Sequence, residues 1–170
     1  MAKKSLLLDS DVVIDFHKND FWRALIAHYV IYVGSVSADI EIKCYPDQNE
    51  TKIPIDIQSY IDQKIVFKIS ASALETAELL AKLKVKNLDG LDAGELECVT
   101  IMKSEIGSDL LFCIKDHAAI KAVAYLDLDD RAISIEKVYS GCGISTKKVT
   151  WENSEKRFKK LITEGKFSQL

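Results

Sequence analysis

Four carboxylates hold most of the chemistry open to this chain: Asp9, Glu41, Glu95 and Asp116. Asp9 ends an apolar run, Asp116 follows another, Glu95 opens a helical pattern and Glu41 rides on a second one. Carboxylates gathered at one edge of a parallel sheet repel one another unless a divalent cation compensates them. Hard oxygen donors with no His or Cys among them suit Mg2+ or Mn2+. Asp9 has a second use, as a carboxylate nucleophile that becomes phosphorylated. Singly, the acids have plainer roles. Asp9 is then a helix cap, Glu95 and Asp116 complement helix N-termini, and Glu41 is a solvated helix residue.

Other chemistries find little support. The cysteines Cys44, Cys98, Cys113 and Cys142 are far apart, with no C-x-x-C pair, and read as reduced, buried thiols. His17, His28 and His117 show no metal-ligand spacing, and His17 and His28 are expected on helix surfaces. A net charge of −3 gives no general attraction to nucleic acid, so an RNA substrate requires metal ions or a local basic patch. With 170 residues and 48% hydrophobic content, the chain is long enough for one well-cored domain. No apolar run is long enough to span a bilayer. Met1-Ala2-Lys3-Lys4 and the leucines after it are too short for a signal peptide, so the expectation is a cytoplasmic protein with no membrane association.

The elements that must position the acids alternate in the βα manner. Residues 5–8 read as a strand, and 11–29 carry Val12, Phe16, Leu25, Ile26 and Tyr29 at helical spacing. A short β-branched run at 30–33 ends at Gly34, and Ser35 or Ser37 can cap a helix bearing Asp39 and Glu41. Residues 46–50 are a polar loop, and a short helix is expected near 56–62 after Pro54. Residues 64–69 alternate as a strand, and Ser72 and Glu75 have capping-box spacing for a helix to about 84. A helix at 95–103, a doubly buried strand at 109–114, a helix at 116–126 and a last strand at 132–135 follow. A basic amphipathic helix at 151–163, stopped by Gly165, closes the pattern as part of an extension at about 147–165. Alternating strands and helices argue a three-layer α/β/α domain with a mostly parallel sheet.

On these residues the chain resembles the PIN-domain nucleases. Leu6-Leu7-Leu8-Asp9-Ser10-Asp11-Val12-Val13-Ile14-Asp15 is similar to their first motif, a hydrophobic strand, an Asp, a small residue and an apolar helix. Leu91-Asp92-Ala93-Gly94-Glu95-Leu96-Glu97 resembles the Gly-Glu motif of one branch. The run from Leu110 through Lys115-Asp116-His117 to Ala119 resembles that branch's fourth motif, with Lys115 where a second acid is usual and His117 where Arg is common. The resemblance implies a PIN-like α/β/α fold and metal-dependent cleavage of RNA phosphodiesters, often by the toxin of a toxin–antitoxin pair. It implies Asp9, Glu41, Glu95 and Asp116 as ligands of one or two Mg2+ or Mn2+ ions. RNA is then the substrate, an antitoxin protein the partner and a homodimer the expected assembly.

A rival resemblance rests on the same opening motif. Asp9-Ser10-Asp11-Val12-Val13 also fits the signature of haloacid-dehalogenase-like phosphatases, with Asp9 as nucleophile, Lys115 on the phosphate and Asp129-Asp130 as late metal-binding acids. That family needs a covering loop after Asp11, where an amphipathic helix is expected here, and it gives Gly94-Glu95 no role. A non-catalytic PIN-like interaction module is the third reading. The basic run Lys147-Lys148 and Lys156 to Lys160 either steers RNA or is the solvated face of a helix that packs Trp151, Phe158, Leu161 and Ile162 on the domain. Glu152 and Glu155 dilute its charge, which favours packing.

Overall fold

The computed structural model of the chain describes residues 3–147 and 149–168. Its frame starts from three consecutive leucines. In β1 (Lys4–Leu8), Leu6 and Leu8 enter one apolar cluster and Leu7 enters another, all three fully buried. Successive side chains of a strand leave by opposite faces, so a continuously apolar strand needs cover on both. β2 (Tyr29–Gly34) and β6 (Leu111–Cys113) flank β1, with β5 (Val66–Ile69) outside β2 and β7 (Ala132–Ile133) outside β6. Every pairing in this five-stranded sheet is parallel.

Helices cover both faces. On one lie α1 (Ser10–Lys18), α2 (Trp22–His28), α3 (Ile57–Asp62) and α7 (Ile135–Gly141), which pack Val12, Phe16, Leu25, Ile57 and Val138 on Leu6, Leu8, Ile31 and Val33. On the other lie α4 (Ala73–Lys84), α5 (Ala93–Lys103), α6 (His117–Tyr125) and α8 (Glu155–Phe167), which bring Leu79, Val99, Ile120 and Phe158 against Leu7 and Phe112. Each buried Leu or Phe contributes about 1.5–3 kcal/mol, so these two clusters, more than the short strands, hold the sheet. The fold is α/β, in three α/β/α layers. Among the described residues no helix is long and apolar enough to cross a membrane.

Several expected elements come out differently. The helix expected over 11–29 is two helices, because Asn19 caps α1 and Asp20 adopts φ 59°, a left-handed turn that Asn and Asp tolerate best. Tyr29 then opens β2 instead of closing a helix. Neither Ser35 nor Ser37 caps a helix, since Ser37–Glu41 forms one wide π-type turn with no side-chain cap. The loop at 46–50 closes a small antiparallel hairpin, β3 (Cys44–Pro46) with β4 (Lys52–Pro54). The last strand ends at Ile133, where Ser134 caps α7, a helix absent from the expected pattern.

Gly165 does not stop the last helix. α8 runs through it and uses it to approach α6, where a Cβ would lie 2.5 Å from the Lys121 carbonyl oxygen. Phe158 and Leu161 are buried as the packing reading requires, but Trp151 is 54% exposed, with the Lys156 ammonium over its ring. Lys148 of the basic run lies outside the described residues. The four cysteines are free, with Cys98, Cys113 and Cys142 buried and Cys44 half-buried.

Candidate functional site

The sheet order reverses between β1 and β6, since the chain builds outward through β2 and β5 and then returns to the other side of β1. In open α/β sheets the crevice for ligands lies at the carboxyl ends of the strands beside such a point. Asp9 leaves β1 there and Asp116 follows β6, and the Asp9 N–H donates to the Cys113 carbonyl at 3.4 Å. Each acid also starts a helix. Asp9 Oδ1 accepts from the Ser10 N–H at 2.8 Å, and Asp116 Oδ1 accepts from the Ala118 and Ala119 N–H groups at 2.6 and 3.2 Å.

α5 and the π-type turn deliver the other two. Asp92 and Glu95 form a complete capping box: Asp92 Oδ1 accepts from the Glu95 N–H at 2.8 Å, and Glu95 Oε2 accepts from the Asp92 N–H at 3.0 Å. Glu41, last residue of the π-type turn, crosses to α5 and accepts from the Gly94 N–H through Oε1 at 3.1 Å. Its Oε2 accepts from the Ser37 hydroxyl at 3.0 Å. Gly94 permits this approach, because a Cβ there would lie 2.2 Å from Glu41 Oε2. The plainer reading of Asp9, Glu95 and Asp116 as helix-start residues is therefore realised, and Glu41 is no solvated helix residue.

The four acids also act on one another. Asp9 is 2% exposed, and its carboxyl is pushed up to about 7, first by burial and then by the charges of Asp11, Asp92 and Glu41, against the pull of the Ser10 N–H. Glu95 is 7% exposed and is pushed up to about 8. Burial leads again, the Asp92 N–H opposes it, and Asp116, Asp92 and Asp9 add to the rise. Asp9, Glu41, Glu95 and Asp116 thus lie within electrostatic reach at one edge. They do not close into a ligand cage: among the described residues no group of three or more His, Cys, Asp or Glu side chains converges tightly enough to enclose a cation. Each carboxylate is turned instead to the helix N–H nearest it, where it meets favourable partial charge and avoids its neighbours.

The donor set still fits a hard divalent ion by its chemistry. All four donors are carboxylates, each with about four acceptor positions, of which only one or two accept hydrogen bonds. Among the described residues Asp9 and Glu95 have no ion-pair partner. Lys115, the cation nearest in sequence to Asp116, turns to Asp15 at 3.1 Å and Asp11 at 3.6 Å. Burial pulls its ammonium down, but Asp15 and Asp11 outweigh that and hold it above its ordinary range. The C-terminal segment reinforces this corner, as Arg157 donates to the Lys115 carbonyl at 2.7 Å and the Asn153 amide to Asp15 at 3.4 Å.

Two acids escaped the sequence reading. Asp92 raises both Asp9 and Glu95, and its D-x-x-E spacing to Glu95 was a legible signal. Glu97 is 6% exposed and binds the turn below β2, which no local pattern announces. Two other expectations are corrected. His17 is not a surface residue: its ring stacks on Trp22 at 4.4 Å, and burial lowers it to about 4. Asp129-Asp130 lie in a short turn just before β7, at the amino edge of the sheet and away from Asp9, and Asp129 pairs with Lys166 at 2.7 Å. No protein-family model, no curated protein and no solved structure matches this chain.

Proposed function

We propose that this chain is a divalent-cation-dependent, PIN-like endoribonuclease in which Asp9, Glu41, Glu95 and Asp116 hold Mg2+ or Mn2+. One observation carries the reading: two buried carboxyls, Asp9 and Glu95, are both pushed up, first by burial and then by neighbouring carboxylates that include Asp92, beside the point where the sheet order reverses. Buried like charges persist only when protonated or compensated, and a divalent cation is the compensation four nearby carboxylates suit. When bound, the metal supplies hydroxide from water at neutral pH and neutralises charge on phosphate oxygens.

The protein's own residues supply placement. The backbone N–H groups that hold Asp9, Glu41 and Asp116 fix each carboxylate on a rigid helix start. The capping box does the same for Glu95. Arg157, which donates to the Lys115 carbonyl, brings positive charge to the same edge, while the Lys115 charge is offset by Asp15 and Asp11. The resemblance to PIN-domain toxins extends the proposal to an antitoxin partner and a homodimer.

The phosphatase reading is less well supported. α1 begins at Ser10, which leaves no covering loop, Asp129-Asp130 lie at the far edge, and Lys115 is engaged by Asp15 and Asp11. The deciding experiment sets an Mn2+-dependent RNase assay beside a phosphatase assay, for the native chain and D9N. RNA cleavage abolished by chelator and by D9N is the expected result. Phosphate release with an aspartyl-phosphate trapped on Asp9 would overturn the proposal in favour of the phosphatase. A chain with neither activity, whose stability ignores Mn2+, is a non-catalytic interaction module.

A further inference from the structure

α5 and the turn after β2 are joined by two glutamates that cross in opposite directions. Glu41 leaves the turn and reaches the Gly94 N–H of α5 at 3.1 Å. Glu97 leaves α5 and reaches the turn, accepting from the Val36 N–H at 2.7 Å and from the Ser35 hydroxyl. Glu41 lies over Gly94 of α5, and Glu97 lies over Gly34, the last residue of β2 before the turn. A Cβ on Gly94 would meet Glu41 Oε2 at 2.2 Å, and a Cβ on Gly34 would meet Glu97 Oε2 at 2.6 Å. The two Gly–Glu pairs therefore cross between α5 and the β2-to-turn segment in opposite directions.

The crossing matters because the other anchors of the π-type turn, Ala38 in the core and Asp39 on Lys68, lie within it, whereas the polar contacts of its entry at Ser35 and Val36 come from Glu97. Val36 offers it no side-chain cap, and Ile40 is 66% exposed. A turn of this width is less favourable than an α-helix and depends on its surroundings. Glu97 meets the turn at its entry and Glu41 meets α5 from its exit, so the first contact sets where the second can reach. Gly94 sits in the first turn of α5, where its N–H has no partner within the helix.

We propose that Glu97 is a positioning residue: it anchors the turn at Ser35 and Val36 and thereby holds Glu41 on Gly94, in place for the candidate metal site. The metal half of this inference rests on the nuclease reading, but the positioning half does not.

The test follows amide hydrogen exchange and Mn2+ binding in the full chain, comparing the native protein with E97A and E97Q. In E97A, without metal, the Val36 N–H loses its acceptor, and the Gly94 N–H, which is held by Glu41 and not by Glu97, is expected to lose protection about tenfold. Val99, deep in the same helix, keeps its protection and shows that α5 is intact. Calorimetric Mn2+ affinity falls about tenfold in parallel, while E97Q, which keeps an acceptor oxygen for Val36, restores most of both. Exposure of Val36 with Gly94 unchanged would overturn the inference and leave Glu97 a local anchor. Loss of Val99 protection in E97A transfers the decision to E97Q, whose Gly94 protection must then be intermediate between native and E97A. If native protein binds no Mn2+, the nuclease reading fails, and the exchange data alone decide the positioning role.

Discussion

Replacing Asp9 with Asn removes a charge from a place that resists charge, and the effect should be stabilising in the absence of metal. The rise of the Asp9 carboxyl from 3.8 to about 7 means the folded chain binds this proton more tightly than the unfolded chain does. Stability from this group is therefore fully present below about pH 4 and is lost as pH rises through about 7. Converted at 1.36 kcal/mol per pH unit, the ionised side chain costs the fold about 4 kcal/mol well above pH 7. Asn avoids that cost and keeps an oxygen for the Ser10 N–H, but its NH2 group lacks an acceptor, which takes back about 1–3 kcal/mol. D9N should then exceed the native chain by about 1–3 kcal/mol at about pH 8 in chelator, or roughly 3–10 °C in Tm. At about pH 4, where the native carboxyl is protonated and only the Asn penalty remains, the order should reverse and D9N should fall below the native chain by about 1–3 kcal/mol. The assay is urea denaturation followed by circular dichroism across this range, repeated with Mn2+. Added metal should stabilise the native chain and not D9N, reversing their order. A D9N chain less stable than native at about pH 8 in chelator would refute the reasoning, as would native stability that does not fall between about pH 5 and pH 8.

Three further outcomes follow from the geometry. G94A should leave folding stability within about 1 kcal/mol, since Ala favours the helix and only the end of Glu41 must move, yet it should weaken Mn2+ binding when followed by calorimetry. G165A should cost about 1–3 kcal/mol in chemical denaturation, because its Cβ would meet the Lys121 carbonyl at 2.5 Å and Ala124 Cβ at 2.7 Å, where backbone cannot retreat. His17, lowered to about 4 by burial, is neutral in the fold, so its contribution is full above about pH 6.5 and is lost as pH falls toward 4, by about 3 kcal/mol. H17F should remove that acid limb while keeping the ring on Trp22, and an unchanged acid limb in denaturation curves would exclude His17 as its source.

The signals legible in the sequence were local ones. Leu6-Leu7-Leu8 marks a doubly covered strand without reference to any other residue, and Ser72, Asp92 and Asp116 announce helix starts through atoms three positions away at most. The α/β class and three of the four site acids follow from such signals, because βα junctions in a parallel sheet all open on the same edge. Asn19-Asp20 is a local helix break as well, but apolar residues at helical spacing on either side mask it.

What the sequence alone determined is thus the alternation of elements and the carboxylates at their ends, since both are set by neighbours along the chain. Only the tertiary structure decided how those carboxylates stand to one another. The crossing of Glu41 to Gly94 and the return of Glu97 to Val36 join residues more than fifty positions apart. Burial of Asp9 and Glu95, and hence the charge they resist, likewise comes from helices packed over the edge and not from the residues beside them. Such contacts depend on which faces meet in space, and no spacing within one element encodes that.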